Sequence, residues 1–167
     1  MAAQTGRTVA KWFKFQIDDS GGTVRDIPVN TINGVGLTYD EVDLTAFQDA
    51  VKGFLSGQPD FTLTIGGPVD STAVQAASGS GAVAALSGSH TVLSAINGLQ
   101  VPLTFGCYFG MRHYWETGEP AFGITSSSTS GALVFDYTVD PSNMTYSAKL
   151  RMFPGSSAPA WGTAAYT

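Results

Sequence analysis

Metal, nucleophilic and acid–base chemistry each need particular side chains at particular spacings. The only histidines are His90 and His113, and the only cysteine is Cys107. None of them falls in a Cys-x-x-Cys or His-Glu-x-x-His spacing, so together they make at most three scattered ligands. His90 reads as a helix-surface residue and His113 as a strand-edge residue, while Cys107, between Phe105 and Phe109, reads as a buried core thiol. Serine and threonine abound, yet no Gly-x-Ser-x-Gly elbow presents a hydrolase nucleophile. Gly79-Ser80-Gly81-Ala82-Val83-Ala84 fits the loose dinucleotide fingerprint, but no strand leads into it as a βαβ unit demands, so it reads as a small-residue loop. Asp40, Glu41 and Asp43 could hold a cation or act as an acid–base pair. On a strand Glu41 and Asp43 share a face that Asp40 opposes, which makes them solvated or interface charges. Trp12, Tyr114, Trp115 and Trp161 could stack on sugar, although strand aromatics more often serve cores and interfaces. Asn143-Met144-Thr145 is a glycosylation sequon by letter only. The expectation is a chain that catalyses nothing and holds no cofactor or metal.

The elements that carry these residues point to β-structure. At 167 residues the chain suits one domain; 43% of it is apolar and only 13% charged, with glycine, serine and threonine plentiful. Residues 9–17 alternate, with Phe13, Phe15 and Ile17 on a buried face and Lys14 and Gln16 on a wet one. The turn cluster Asp18-Asp19-Ser20-Gly21-Gly22 then predicts a hairpin returning over 23–29, with Pro28 near its end. A strand follows at 36–44. Phe47, Val51, Phe54 and Leu55 recur at spacings of three and four, which predicts two turns of amphipathic helix over 46–55, ended by Gly57 and Pro59. Residues 61–65 are a cleanly alternating strand. The span 68–82, nearly free of large apolar side chains, reads as a loop or as a segment ordered by assembly. Residues 83–96 predict a helix weakened by Gly88 and capped at Asn97-Gly98. Further strands are expected at 101–111, 132–139 and 146–153, for a total of seven or eight in a sandwich or barrel with one or two short flanking helices.

Net charge is −5, with no lysine or arginine cluster to grip phosphates, so tight DNA binding is disfavoured. No signal-type apolar region and no membrane-length apolar run is present, and the chain is expected to be made in the cytoplasm without a membrane partner.

Three stretches in close order, Asp40-Glu41-Val42-Asp43-Leu44-Thr45-Ala46-Phe47, Val51-Lys52-Gly53-Phe54-Leu55-Ser56-Gly57 and Asp60-Phe61-Thr62-Leu63-Thr64-Ile65-Gly66-Gly67, carry a family pattern. They resemble the tail tube proteins of long-tailed phages, in which an acidic V-D-[VL]-T-x-F stretch precedes a short helix, an F-L-x-G turn and a D-x-[TS]-[LI]-[TS] strand. His90-Thr91-Val92-Leu93-Ser94-Ala95 with Val101-Pro102-Leu103-Thr104-Phe105, and Tyr146-Ser147-Ala148-Lys149-Leu150-Arg151, are similar to later elements of that family. About half the chain is touched. The small-residue stretch 73–85 departs from the family's more acidic linker.

The resemblance implies a mainly β, single-domain sandwich of the tail tube type. It implies that six copies close a ring, that rings stack through arms and a long hairpin loop, and that an acidic lumen lets DNA pass without being bound. The implied partners are further copies, a tape-measure protein and tail terminator or tip proteins, and the implied location is the virion tail. An N-terminal arm is expected over 1–8, the sandwich over 9–153 and a C-terminal arm over 154–167. Subunit contacts are expected at Arg7, Lys11, Trp12, Tyr39, Asp40, Glu41, Asp43, Pro68, Asp70 and Trp161. A capsid decoration protein on a related sandwich and a carbohydrate-binding module of a phage fibre are the alternative readings.

Overall fold

A computed structural model describes residues 3–48, 50–75 and 86–167. The fingerprint at 79–84 and the first turn of the helix expected over 83–96 lie outside the described residues. A single 3-10 turn, Ala10–Trp12, leads into β1 (Phe13–Asp18), followed by β2 (Val24–Asp26), β3 (Thr31–Asn33), β4 (Thr38–Asp43), β5 (Phe54–Asp60) and β6 (Leu63–Pro68). Helix α1 (Ser89–Ile96) separates these from β7 (Phe105–Phe109), β8 (Ala121–Ile124), β9 (Ala132–Asp140), β10 (Thr145–Met152) and β11 (Ala160–Gly162). Strands are antiparallel throughout, in a five-stranded sheet ordered β11-β8-β7-β1-β2, a four-stranded sheet ordered β3-β6-β10-β9, and β4 paired with β5 alone.

The two larger sheets form a sandwich because their inward residues meet in one core. Phe15, Ile17, Phe105, Cys107 and Phe122 come from the first sheet, and Leu63, Ile65, Val134, Ala148 and Leu150 from the second. Phe61 stacks on Phe105 with ring centroids 5.3 Å apart, tying the layers at one end. Val92, Leu93 and Ile96 of α1 close the core with a three-and-four spacing that lays one helix face on it. Gly88 sits just ahead of this helix instead of inside it. A side chain there would meet the carbonyl oxygens of Thr72 and Asp70 at 2.4 and 2.6 Å, so the loop packs too close for anything but glycine.

The outer face of the five-stranded sheet is not wet as the alternation of β1 suggests. Gln16 is buried and donates from Nε2 to the Asp26 carboxylate, while Lys14 is half-buried. A second small core explains this: Tyr108, Trp115 and Ala121, joined by Ala165 and Tyr166, pack on that face. The chain's last residues therefore fold back on the body. β11 pairs with β8, Trp161 rests on Phe122 at 4.9 Å, and Tyr166 N donates to Tyr108 Oη at 2.9 Å.

The largest departure from the sequence reading lies at 46–55, where the expected amphipathic helix is absent. Phe54 and Leu55 open β5 opposite Asp43 and Val42, and Gly57 and Pro59, expected to end a helix, lie inside that strand. A helix of that length depends on burying its apolar face. Here Phe47, Val51, Phe54 and Leu55 are exposed, and cross-strand pairing satisfies the backbone of β5 instead.

Candidate assembly interface

β4, the tip at 44–53 and β5 form a ribbon that leaves the sandwich. Its strands pair with each other from Thr38↔Asp60 to Asp43↔Phe54, with a bulge opposite Asp40. Thr45 and Gly53 knit the tip: Leu44 N donates to Gly53 O at 2.9 Å and Gly53 N to Thr45 Oγ1 at 3.0 Å. The Thr45 hydroxyl and then its N–H hold the Asp43 carboxyl below its ordinary range. Tyr39, Val42, Leu44, Phe47, Val51, Phe54 and Leu55 are all exposed, Leu55 to 59% and Val51 to 80%. A two-stranded ribbon alone is marginal in water, and contiguous exposed apolar surface on this scale marks a contact site. Charge is concentrated here too. Asp40, Glu41, Asp43, Asp49 and Asp60 stand against Lys52, so 38–60 carries four of the chain's five net negative charges.

A groove of ≈ 440 Å³ opens beside β1 and β2, walled by Phe13, Ile27, Val29 and Leu86 with Lys11 and Lys14 above them. Lys14 reaches its position by pairing with Tyr108 across β1 and β7, which sets its ammonium 4.8 Å over that ring and 5.7 Å from the ring of Trp115. Burial pushes the Lys14 amine below its ordinary value, and the nearby Asp26 carboxylate works against that shift. Lys11 lies over Trp12, whose ring meets Tyr114 edge-on at 5.6 Å.

The N-terminal segment is clasped to the body by Glu119, whose side chain is fully buried. Its carboxylate accepts from Gln4 N at 3.1 Å and from Met111 N and Glu116 N, both at 3.2 Å. His113 Nε2 lies 2.9 Å from Glu119 Oε1, close enough for an ion pair, but is not aligned for a hydrogen bond. The Tyr114 carbonyl 2.6 Å from Nδ1 can only accept, so Nδ1 carries a proton. Thr8 Oγ1 donates to Gly110 O beside this clasp. His113 is thus buried in a loop and paired, not at a strand edge as expected.

Of the residues singled out from sequence, Tyr39, Asp40, Glu41 and Asp43 come together on the exposed β4. Lys11 and Pro68 line the same groove, with Trp12 under Lys11. Arg7 is exposed on the N-terminal segment, and Asp70 caps its own loop by accepting from Thr72 N and Oγ1. Trp161 is 58% exposed on β11. Sequence reasoning assigned Phe47, Val51, Phe54 and Leu55 to a helix face instead of this ribbon, and missed Glu119, whose four partners are scattered from Gln4 to Glu116. His90 is exposed on α1, its Nδ1 2.9 Å from Tyr137 Oη, and Cys107 is buried in β7 with its thiol pushed up by burial. Among the described residues no three His, Cys, Asp or Glu side chains converge, and no helix is long and apolar enough to cross a membrane.

Compared by sequence, the chain matches no protein-family model and no curated protein. Its backbone matches solved structures. One is a chain of the anti-feeding prophage cap, the tube-terminating cap, at TM-score 0.55 and 12% identity over 98% of this chain and 96% of that one. Another belongs to the sheath/tube terminator of the PVC extracellular contractile injection system in its extended state, at TM-score 0.51 and 13% identity over 96% and 99%. At such identities the likeness is one of fold.

Proposed function

We propose that this chain is a non-catalytic structural subunit of a phage-tail-type tube that works by assembling with copies of itself. The observation that carries this reading is the β4–β5 ribbon, a segment with seven exposed large apolar side chains that join neither core cluster of the described residues. Such a surface needs a partner. The sandwich it leaves has the fold of chains from two tube-terminating assemblies, and the sequence carries the tail tube pattern along that same ribbon. In this reading six copies close a ring and rings stack around a tape-measure protein. DNA later passes a lumen that binds no phosphate, in keeping with the chain's net negative charge.

Sedimentation of the concentrated protein, followed by negative-stain electron microscopy, tests the reading. Hollow open-ended tubes are expected. A folded chain that stays monomeric at every concentration would refute it.

The two solved neighbours favour a second reading, a subunit that ends a tube instead of extending it. The same micrographs separate the two, because a terminator gives single closed rings that cap preformed tubes and do not stack.

A further inference from the structure

The self-assembly reading leaves open what the ribbon docks into, and the charge distribution of the chain answers it. Residues 3–17 contain Arg7, Lys11 and Lys14 and no acid, whereas 38–60 holds most of the net negative charge. Each region thus carries the counter-charge the other lacks. Both surfaces are also apolar: the groove beside β1 and β2 has walls at Phe13, Ile27, Val29 and Leu86, and the ribbon exposes Val42, Leu44, Phe54 and Leu55. Lys11 and Lys14 against Asp26 leave the groove net positive. Its ≈ 440 Å³ lies within the range of pockets that bury a bound group. Among the described residues, none of the ribbon lines the groove of its own chain.

We infer that the groove beneath Lys11 is the seat for the β4–β5 ribbon of a neighbouring copy, with Val42, Leu44 and Leu55 entering the groove and Glu41 and Asp43, on the opposite ribbon face, meeting Lys11 at its rim. The inference rests on the self-assembly reading and names the acceptor that reading leaves unspecified. A nucleic acid is a poorer occupant, because two lysines beside a carboxylate offer a phosphate chain no continuous basic track. A heterologous contact of this kind, ribbon into groove, propagates from copy to copy and closes into a ring when the rotation allows it.

Two measurements on the full chain test it. First, Val42→Cys and Leu86→Cys proteins are mixed and treated with a short bis-maleimide; Cys107 is fully buried, so the introduced thiols are the reactive ones. Cross-linked pairs of one of each are expected, well above a Val42→Cys and Ser142→Cys control. Second, Lys11→Glu, at an exposed site, should raise the concentration at which assembly begins by roughly tenfold, as losing one favourable cross-interface charge pair predicts, and Glu41→Lys in the same chain should restore it. Assembly that proceeds with cross-linking no better than the control, and with no rescue by Glu41→Lys, overturns the groove assignment while leaving self-assembly intact. Wild-type protein that never associates, read independently by sedimentation, overturns both.

Discussion

The sandwich and the β4–β5 ribbon use the same kinds of residue to opposite ends. Phe105 and Phe122 are fully buried where two sheets and a helix converge, while Phe47 and Phe54 stand in solvent on a ribbon with nothing behind it. Both regions are built from antiparallel strands. What separates them is the number of layers. A strand in the sandwich has neighbours on both edges or a second sheet over its face, whereas β4 and β5 have only each other. Apolar content therefore marks surface that must be covered without saying whether the cover lies in the same chain. In the sandwich the cover is intramolecular and contributes to folding; in the ribbon it is deferred to association.

The comparison predicts a steep contrast in stability. Phe105→Ala should cost about 3–5 kcal/mol in denaturant unfolding of the monomer, the range for emptying a packed aromatic site. A cost under about 1 kcal/mol, typical of surface positions, would mean the body is packed no better than the ribbon. Glu119→Gln comes next. The amide keeps the side chain's length but turns one acceptor into a donor against the Gln4, Met111 and Glu116 N–H groups, so a loss of about 1–3 kcal/mol is expected. Amide exchange at Gln4 and Met111 should accelerate with it. Unchanged protection there would show that Glu119 does not hold the N-terminal segment.

How much of this was legible beforehand follows the range of the interactions. Phe13, Phe15 and Ile17, the turn at Asp19 and the alternation of 61–65 declare strands because period two and turn chemistry are local. The ribbon misled because Phe47, Val51, Phe54 and Leu55 fit a helical spacing, and only the absence of anything for that helix to pack on excludes it. Gln16 and Lys14 looked wet because nothing near them in sequence announces that Tyr108, Trp115 and Tyr166 will cover their face. The Glu119 clasp joins positions more than a hundred residues apart, which no window of sequence displays. Of the interface candidates, Asp40, Glu41 and Asp43 stand out in sequence as charges and lie on the exposed β4, whereas Phe47, Val51, Phe54 and Leu55 read there as a helix face.

A smaller effect tests whether the β1–β2 turn belongs to the body. Partial burial works to raise the Asp19 carboxyl, but hydrogen bonds from Thr23 N, the Arg25 guanidinium and Gly21 N outweigh it, so the carboxyl is held below its ordinary 3.8. A depressed carboxylate stabilises the fold fully above that value and loses its contribution as pH falls through the lower, folded-state value. Asp19→Asn should cost about 0.5–1 kcal/mol at neutral pH, a figure kept small by solvent screening at the turn. The gap between mutant and wild type should close in strong acid. A gap constant with pH would assign the loss to turn geometry instead of charge.

The smallest expected change in monomer stability is at the ribbon itself. Phe54 pairs with Asp43 at the tip end of the ribbon, half-exposed, and joins neither core cluster of the described residues. Replacing it with serine removes no core contact, so unfolding of the monomer should shift by no more than about 0.5 kcal/mol, in the range of ordinary surface substitutions. The same change should weaken assembly by at least about tenfold if a neighbour buries that ring, because covering a large aromatic side chain is worth roughly 1.5–3 kcal/mol. The two numbers must be measured on one preparation. If Phe54→Ser destabilises the monomer as Phe105→Ala does, the ribbon is part of the folding core. If it leaves both stability and assembly unchanged, the ring stays in water in the assembly too, and the contact surface must lie elsewhere on the ribbon. A change confined to assembly is the signature of apolar surface kept outside the fold for a neighbouring copy.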